Sequence, residues 1–190
     1  MRPAVIEAVH PDDVMWRAGR DWYFPVGESA LRLLNEGLQR VRADPLDLQA
    51  RLMCQVGTWQ SKIPTVSGVP MGASHAIGHV LGALCNVPHG YTSCVMAPQV
   101  QAWNAPVAHQ RQARISVALG AAHRPAAELL DELITGLGLP RSLQDLGLSA
   151  QQVEAFIQPA LDHPQVTRNN LRPITTAADL RAVLHLADRT

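Results

Sequence analysis

Three histidines, His75, His79 and His89, fall within "SHAIGHVLGALCNVPHG", residues 74–90, a stretch with no Lys, Arg, Asp or Glu. Imidazole ligates transition metals and titrates near neutrality, so it can serve either a metal or a proton. On a helix His75 and His79, four apart, project from one face. Gly78, Gly82 and Cys85 lie along nearly the same stripe, and glycines there let another backbone or a ligand come close. Ten residues of helix from His75 to Cys85 rise about 15 Å, and four extended residues return about 14 Å. His89 therefore joins the other two only if the "NVP" turn doubles back. The competing reading is three neutral histidines hydrogen-bonded inside a core, which a stretch so poor in polar partners disfavours. The sequence His-Ala-Ile-Gly-His lacks the Glu that serves as general base in zincin proteases. Cys85 and Cys94 read as small core residues rather than ligands or nucleophiles, and no acid lies nearby to orient a Ser–His–Asp or Cys–His apparatus.

The elements that must position these residues read as helices. From Ile63 to Gln110 the chain has no charged residue other than histidine. Ionised side chains are almost never buried unpaired, so this span is expected at the centre of the molecule. Pro64, Pro70, Pro88, Pro98 and Pro106 interrupt it too often for a membrane span, which needs about 20 predominantly apolar residues in succession. "ESALRLLNEGLQRVRA" carries Leu31, Leu34, Leu38 and Val41 at helical spacing, and "PLDLQARLMCQVGTWQSK" repeats the pattern with Leu48, Leu52 and Val56 behind a first-turn Pro45. Ser74 is a candidate cap for the histidine helix, which ends before Pro88. A further helix is expected from about Gly90 to about Pro98. "PVAHQRQARISVALG" and "PAAELLDELITGLG" are amphipathic, with Gly120 and Gly138 as C-terminal stops. "SAQQVEAFIQPAL" and "TAADLRAVLHLAD" follow, with Ser149 and Thr176 as caps. With no strand-rich region or repeat, the expectation is an all-α multi-helix bundle of about seven to nine helices. Residues 1–26 are expected to form an irregular N-terminal segment and residues 27–190 a single helical domain.

At 190 residues the chain is long enough for one domain with a substantial core. Sixteen basic residues balance sixteen acidic ones, and no basic run appears, so nucleic acid is an unexpected partner. "MRPAVIEAVHPDDV" has acids and a Pro where a signal peptide needs an apolar core. Three unpaired cysteines make no disulfide framework, so a cytoplasmic location is expected, without membrane association. Trp16, Trp22, Tyr23 and Phe24 cluster near the start and either fill the core or cover a face. Lys62, Arg111 and Arg114 flank the uncharged span and read as solvated charges rather than substrate anchors.

The stretch "GASHAIGHVLGALCNVPHGYTSCVMAPQVQAWNAP" resembles the centre of the iron-containing, or group III, alcohol dehydrogenase family, above all its maleylacetate reductase branch. There a His-x3-His helix precedes a Pro-His-Gly turn and a further helix ending in a Leu-Pro and a Tyr-Asn, here Ala97-Pro98 and Trp103-Asn104. "ADPLDLQARLMCQVGTW" upstream, and "ALGAA", "GLGLPRSLQDLGL" and "NNLRPIT" downstream, are similar to the same helical domain, whose architecture is dehydroquinate synthase-like. The resemblance implies that His75 and His89 are metal ligands and that His79 is a catalytic histidine near nicotinamide and substrate, often drawn as a proton relay. It implies Fe2+ or Zn2+ as a Lewis acid and NAD(P) as the hydride carrier.

The departures from the family are specific. "MRPAVIEAVHP" resembles the strand that enters the helical half, and no glycine-rich phosphate turn follows a strand, so no nucleotide site is expected here. The family's other two metal ligands are an Asp and a His four apart, and no Asp-x-x-x-His occurs in the sequence. The nearest candidates to complete the site are Asp21, Glu28 or another chain; His10 is the only histidine before His75. The leading expectation is the metal- and substrate-binding half of a dehydrogenase, working with a separate NAD(P)-binding subunit. One alternative is a helical domain reused for a non-redox reaction, with His79 as acid or base on a small carbonyl compound or ring-cleavage acid. The other is a binding protein without catalysis, its exposed face covered in a homo- or hetero-oligomer.

Overall fold

A computed structural model describes residues 24–69 and 71–186 of the chain. Among these residues there are nine α-helices and no strand, the all-α bundle the periodicity predicts. The helices are α1 (Phe24–Ala43), α2 (Leu48–Val66), α3 (Ala73–Cys85), α4 (His89–Asn104), α5 (His109–Ala118), α6 (Ala126–Gly136), α7 (Ala150–Leu161), α8 (Pro164–Asn169) and α9 (Ala177–Leu186). A 3-10 turn, Ala105–Val107, links α4 to α5. Helix α1 takes in Phe24, Pro25 and Val26, so these three residues are helical and not part of the irregular segment expected over 1–26. His10, Trp16, Asp21, Trp22 and Tyr23 lie outside the described residues.

Helix α4 is the axis of the fold. Every residue from Thr92 to Asn104 except Ala102 is buried. One core surrounds Cys94 and Ala97 with Leu31, Leu34, Leu38, Ile115, Leu130 and Ile134 from α1, α5 and α6. A second surrounds Val95, Met96, Val100 and Trp103 with side chains of α3, α7, α8 and α9. A helix buried on all sides cannot carry charge, which accounts for the uncharged sequence from 92 to 104. Packing on every face also explains why α4 continues through Pro98 instead of stopping there. An interior proline costs about 3 kcal/mol, less than several fully buried side chains at about 1.5–3 kcal/mol each. The C-terminal end of α4 is fixed by polar contacts. Asn104 and Asn170 exchange side-chain hydrogen bonds at 3.1 and 2.9 Å. Trp103 Nε1 donates to the Arg172 carbonyl at 3.1 Å, and the Arg172 guanidinium lies 3.6 Å from the Trp103 ring centroid.

Helices α1 and α2 form an antiparallel pair, but α2 buries an unexpected face. Its buried residues are Ala50, Gly57, Ser61 and Pro64, small side chains that let the two helices approach closely. Leu48 (78% exposed), Leu52 (51%) and Trp59 (66%) point outward. Pro45 sits in the turn before α2, and Asp47 is the cap, accepting from the Ala50 N–H at 2.9 Å. The α7 cap is Ser149, in a reciprocal box with Gln152. Thr176 Oγ1 accepts from the Asp179 N–H at 3.1 Å at the start of α9. Gly120 (φ +90°) and Gly138 (φ +69°) follow α5 and α6 in the left-handed region that ends helices.

Candidate metal centre

The site is built by α3, the turn after it and the first residue of α4. Helix α3 starts one residue before Ser74, with Gly72 rather than Ser74 as its cap. Ile77 and Leu81 are wholly buried in the second core, and this anchors α3 so that His75 and His79 share a different face. The reversal falls at Asn86, whose left-handed backbone (φ 53°, ψ 33°) ends α3. Asparagine tolerates that conformation better than other non-glycine residues. Val87 then turns inward, Pro88 caps α4, and His89 opens it. Two close approaches hold this hairpin. A Cβ on Gly78 would lie 2.7 Å from Thr92 Oγ1, and one on Gly82 would lie 3.3 Å from the Val87 carbonyl oxygen. Thr92 Oγ1 donates to the His89 carbonyl at 2.7 Å, so the residue that meets Gly78 also steadies the turn bearing His89.

The three imidazoles converge. Ring centroids are 4.1 Å apart for His75 and His79, 5.1 Å for His75 and His89, and 5.0 Å for His79 and His89. One ring nitrogen from each lies within 4.8 Å of the others, and among the described residues this is the one cluster of metal-ligating type. His75 sits deepest, while His79 and His89 are exposed. Three imidazole nitrogens are a donor set suited to Zn2+ or Fe2+, so the residues present fit such an ion.

The other sequence candidates lie elsewhere. Glu28 is tied to Arg114 on α5 at 2.5 Å and does not join the histidines, which removes it as a ligand candidate. Arg114 also covers the Phe24 ring at 4.2 Å, and Phe24 packs with Val69 and Ile63. Arg111 is buried on α5, and Lys62 is exposed on α2. Cys94 is wholly buried in the first core, and that burial pushes its thiol up to about 12. Cys85 is half-buried, its thiol also pushed up by burial. Neither is poised as a thiolate, in line with their reading as core residues. A groove of about 640 Å³ is lined in part by Asn86, Pro88, Tyr91, Pro140 and Arg141 and by none of the three histidines. Its Arg141 is engaged by Asp131 at 2.5 Å. The sequence held no periodic signal for this groove, because its walls come from segments about fifty residues apart.

Among the described residues, no helix is long and apolar enough to cross a membrane. Residues 25–187 match the profile of the Fe-containing alcohol dehydrogenase family, C-terminal. The chain is similar to a maleylacetate reductase of Burkholderia cepacia, with 32% identity over 162 residues that cover 85% of this chain and 44% of that protein. Its fold matches a maleylacetate reductase from Agrobacterium tumefaciens with a TM-score of 0.84 and 28% identity, over 97% of this chain and 50% of the other. An iron-containing alcohol dehydrogenase from Corynebacterium glutamicum gives a TM-score of 0.81 at 26% identity over the same shares. The chain thus spans about half the length of these relatives.

Proposed function

Since the chain belongs to the Fe-containing alcohol dehydrogenase family, we propose that it is the metal- and substrate-binding half of a maleylacetate reductase-like oxidoreductase, completed by a separate NAD(P)-binding subunit. The observation that carries this reading is the convergence of His75, His79 and His89, with His75 buried and the other two exposed. His75 and His89 would hold the Fe2+ or Zn2+. When bound, that ion supplies Lewis acidity at a substrate oxygen, and NAD(P) supplies the hydride. His79 is exposed beside both rings and has access to water, so its imidazole can hold or pass on the proton of a small carbonyl or hydroxy substrate. A hetero-oligomer in the cytoplasm, where reduced nicotinamide is made, is the setting this requires.

The test is reconstitution. The chain is mixed with an NAD(P)-binding α/β polypeptide of the family's N-terminal type and with Fe2+ or Zn2+, and NAD(P)H oxidation is followed with maleylacetate as the first substrate. Turnover is expected only when both polypeptides are present, with a complex on a sizing column. No complex and no turnover would overturn the proposal.

A further inference from the structure

We propose that the outward face of α2 is a self-association surface, on which a second copy of this chain packs the same face to form a symmetric dimer. The inference is separate from the metal reading above and uses none of its residues.

Four observations carry it. First, α2 is apolar on two opposite sides. Its row of small residues, Ala50, Gly57 and Ser61, is buried, and a Cβ on Gly57 would meet Leu33 and Leu34 of α1. Turning 3.6 residues per turn, α2 places Leu48, Leu52, Trp59 and Val66 within about 40° of one another on the far side. They are 78%, 51%, 66% and 80% exposed, and the half-buried Val56 and Ile63 widen the stripe along one edge. A helix apolar on both sides is ordinarily covered on both, yet among the described residues only α1 packs extensively on α2. Second, the area suits a dimer. The exposed parts of the four residues amount to roughly 600 Å² per copy, at the upper end of what monomers leave bare. Two such stripes together cover about 1,200 Å², the lower edge of a specific interface. Third, the spacing suits a helix as the occupant. The step from Leu48 to Leu52 and the seven-residue repeat of Leu52, Trp59 and Val66 are those of a helix-on-helix seam. A second α2 presents the same spacing, as a two-fold contact requires. Fourth, charge does not oppose it. Arg51 and Lys62, the only charged residues of α2, lie to one side of the stripe, which leaves an uncharged core with an aromatic residue near its centre. The whole chain is formally neutral, 16 basic against 16 acidic residues, so long-range repulsion does not keep two copies apart.

The experiment is sedimentation velocity of the full chain over a series of micromolar concentrations, at low and high salt. The unaltered chain is expected to dimerise as concentration rises and to stay dimeric in high salt, which screens charges but not apolar contact. Truncating an aromatic anchor at the centre of an interface costs about 30-fold or more in affinity, so Trp59→Ala should weaken the dimer by at least that factor. Trp59→Phe, which keeps an aromatic ring, should fall between. Leu52→Glu sets an unpaired charge in the seam and should leave only monomer. Both positions are exposed in the single chain, and unchanged far-ultraviolet dichroism separates lost association from lost fold; if Leu52→Glu does not fold, Trp59→Ala decides. Leu84→Lys, on α3, should leave the dimer intact. A chain that stays monomeric at every concentration overturns the inference, whether residues 1–23 of the same chain or a different protein covers the stripe. So does a dimer that survives both α2 substitutions, and one lost only in Leu84→Lys would move the contact to the histidine turn. Failure of the reconstitution assay would count against the partner subunit and leave this measurement unaffected.

Discussion

Replacing Gly78 by alanine tests the close approach that brings His89 to the other two histidines. The new Cβ would lie 2.7 Å from Thr92 Oγ1 and 3.3 Å from Thr92 Cβ, where ordinary contact begins near 3.4 Å. Thr92 is short, β-branched, wholly buried and hydrogen-bonded to the His89 carbonyl, so it cannot swing away freely. Overpacking of a buried contact costs about 1–3 kcal/mol, and disturbing the Thr92 hydrogen bond adds about 1 kcal/mol. Alanine returns about 1 kcal/mol over glycine through helix propensity. The sum is a net loss of about 2 kcal/mol, equivalent to a fall in melting temperature of about 4–8 °C for a domain of this size. Calorimetry or thermal dichroism reads this directly. Adding Thr92→Ala should recover part of the loss, because it removes the oxygen, whereas Thr92→Ser, which keeps it, should recover little. A Gly78→Ala protein that melts higher than the parent, or a Gly78→Ala/Thr92→Ala protein no more stable than the single variant, would refute the proposed contact.

Other positions give independent checks. Asn104→Ala removes one half of the buried amide pair with Asn170 and the acceptor for the Arg172 N–H. Each group left unsatisfied costs about 1–3 kcal/mol, so urea unfolding should show a loss of about 2–4 kcal/mol. The Asp179 carboxyl is held below the usual carboxylate range, first by the Thr176 hydroxyl and then by the Thr175 and Thr176 N–H groups. A depressed pKa contributes stability above the unfolded value and loses it as pH falls through the folded one. Melting temperature should therefore drop on the acid side of about pH 4, with a smaller drop in Asp179→Asn. Thiol labelling of the native chain at mildly alkaline pH should modify Cys85 and Cys54 but spare Cys94, whose burial pushes its thiol up to about 12; mass spectrometry locates the label. Leu84, 56% exposed on α3, should accept Lys without loss of fold or Co2+ binding. Leu84→Lys should nonetheless prevent complex formation in the reconstitution assay, and an unchanged complex would place the partner elsewhere.

The sequence and the structure agree where one physical cause dominates and part where two compete. The histidine spacing, the Gly120 and Gly138 stops and the Ser149 and Thr176 caps are legible because each rests on local backbone chemistry. The convergence of His89 was legible only as a condition on the turn, since nothing in "CNVPH" announces that Asn86 takes a left-handed conformation. The buried face of α2 differs from the one the apolar spacing predicts. Leu48, Leu52 and Val56 repeat at helical spacing, but the face that packs on α1 is the row of small residues Ala50, Gly57 and Ser61. Hydrophobic periodicity detects large apolar side chains, whereas close helix approach selects for small ones. The helix expected to stop near Pro98 runs on to Asn104 for the opposite reason, as tertiary burial of α4 outweighs a local break.

The uncharged span from Ile63 to Gln110 has two causes, and separating them bears on the proposed function. From Thr92 to Asn104 burial suffices. It does not suffice on the outer side of α3 and the turn, where His79, Ala83, Leu84, Asn86, Pro88, His89 and Tyr91 are all exposed. A solvent-facing helix surface ordinarily carries charge, as α1 does with Arg32, Glu36 and Arg42. Exposed but uncharged, the histidine face has the composition of an interface core, from which ionised residues are depleted. That is the surface expected if a second body closes over the histidines. Closure would also exclude water and strengthen every electrostatic interaction at the site. A metal centre left open to solvent gains nothing from losing charged neighbours, whereas one that is covered avoids the cost of desolvating them. The uncharged rim around the converging rings therefore favours the proposal made above, that a partner covers the three histidines.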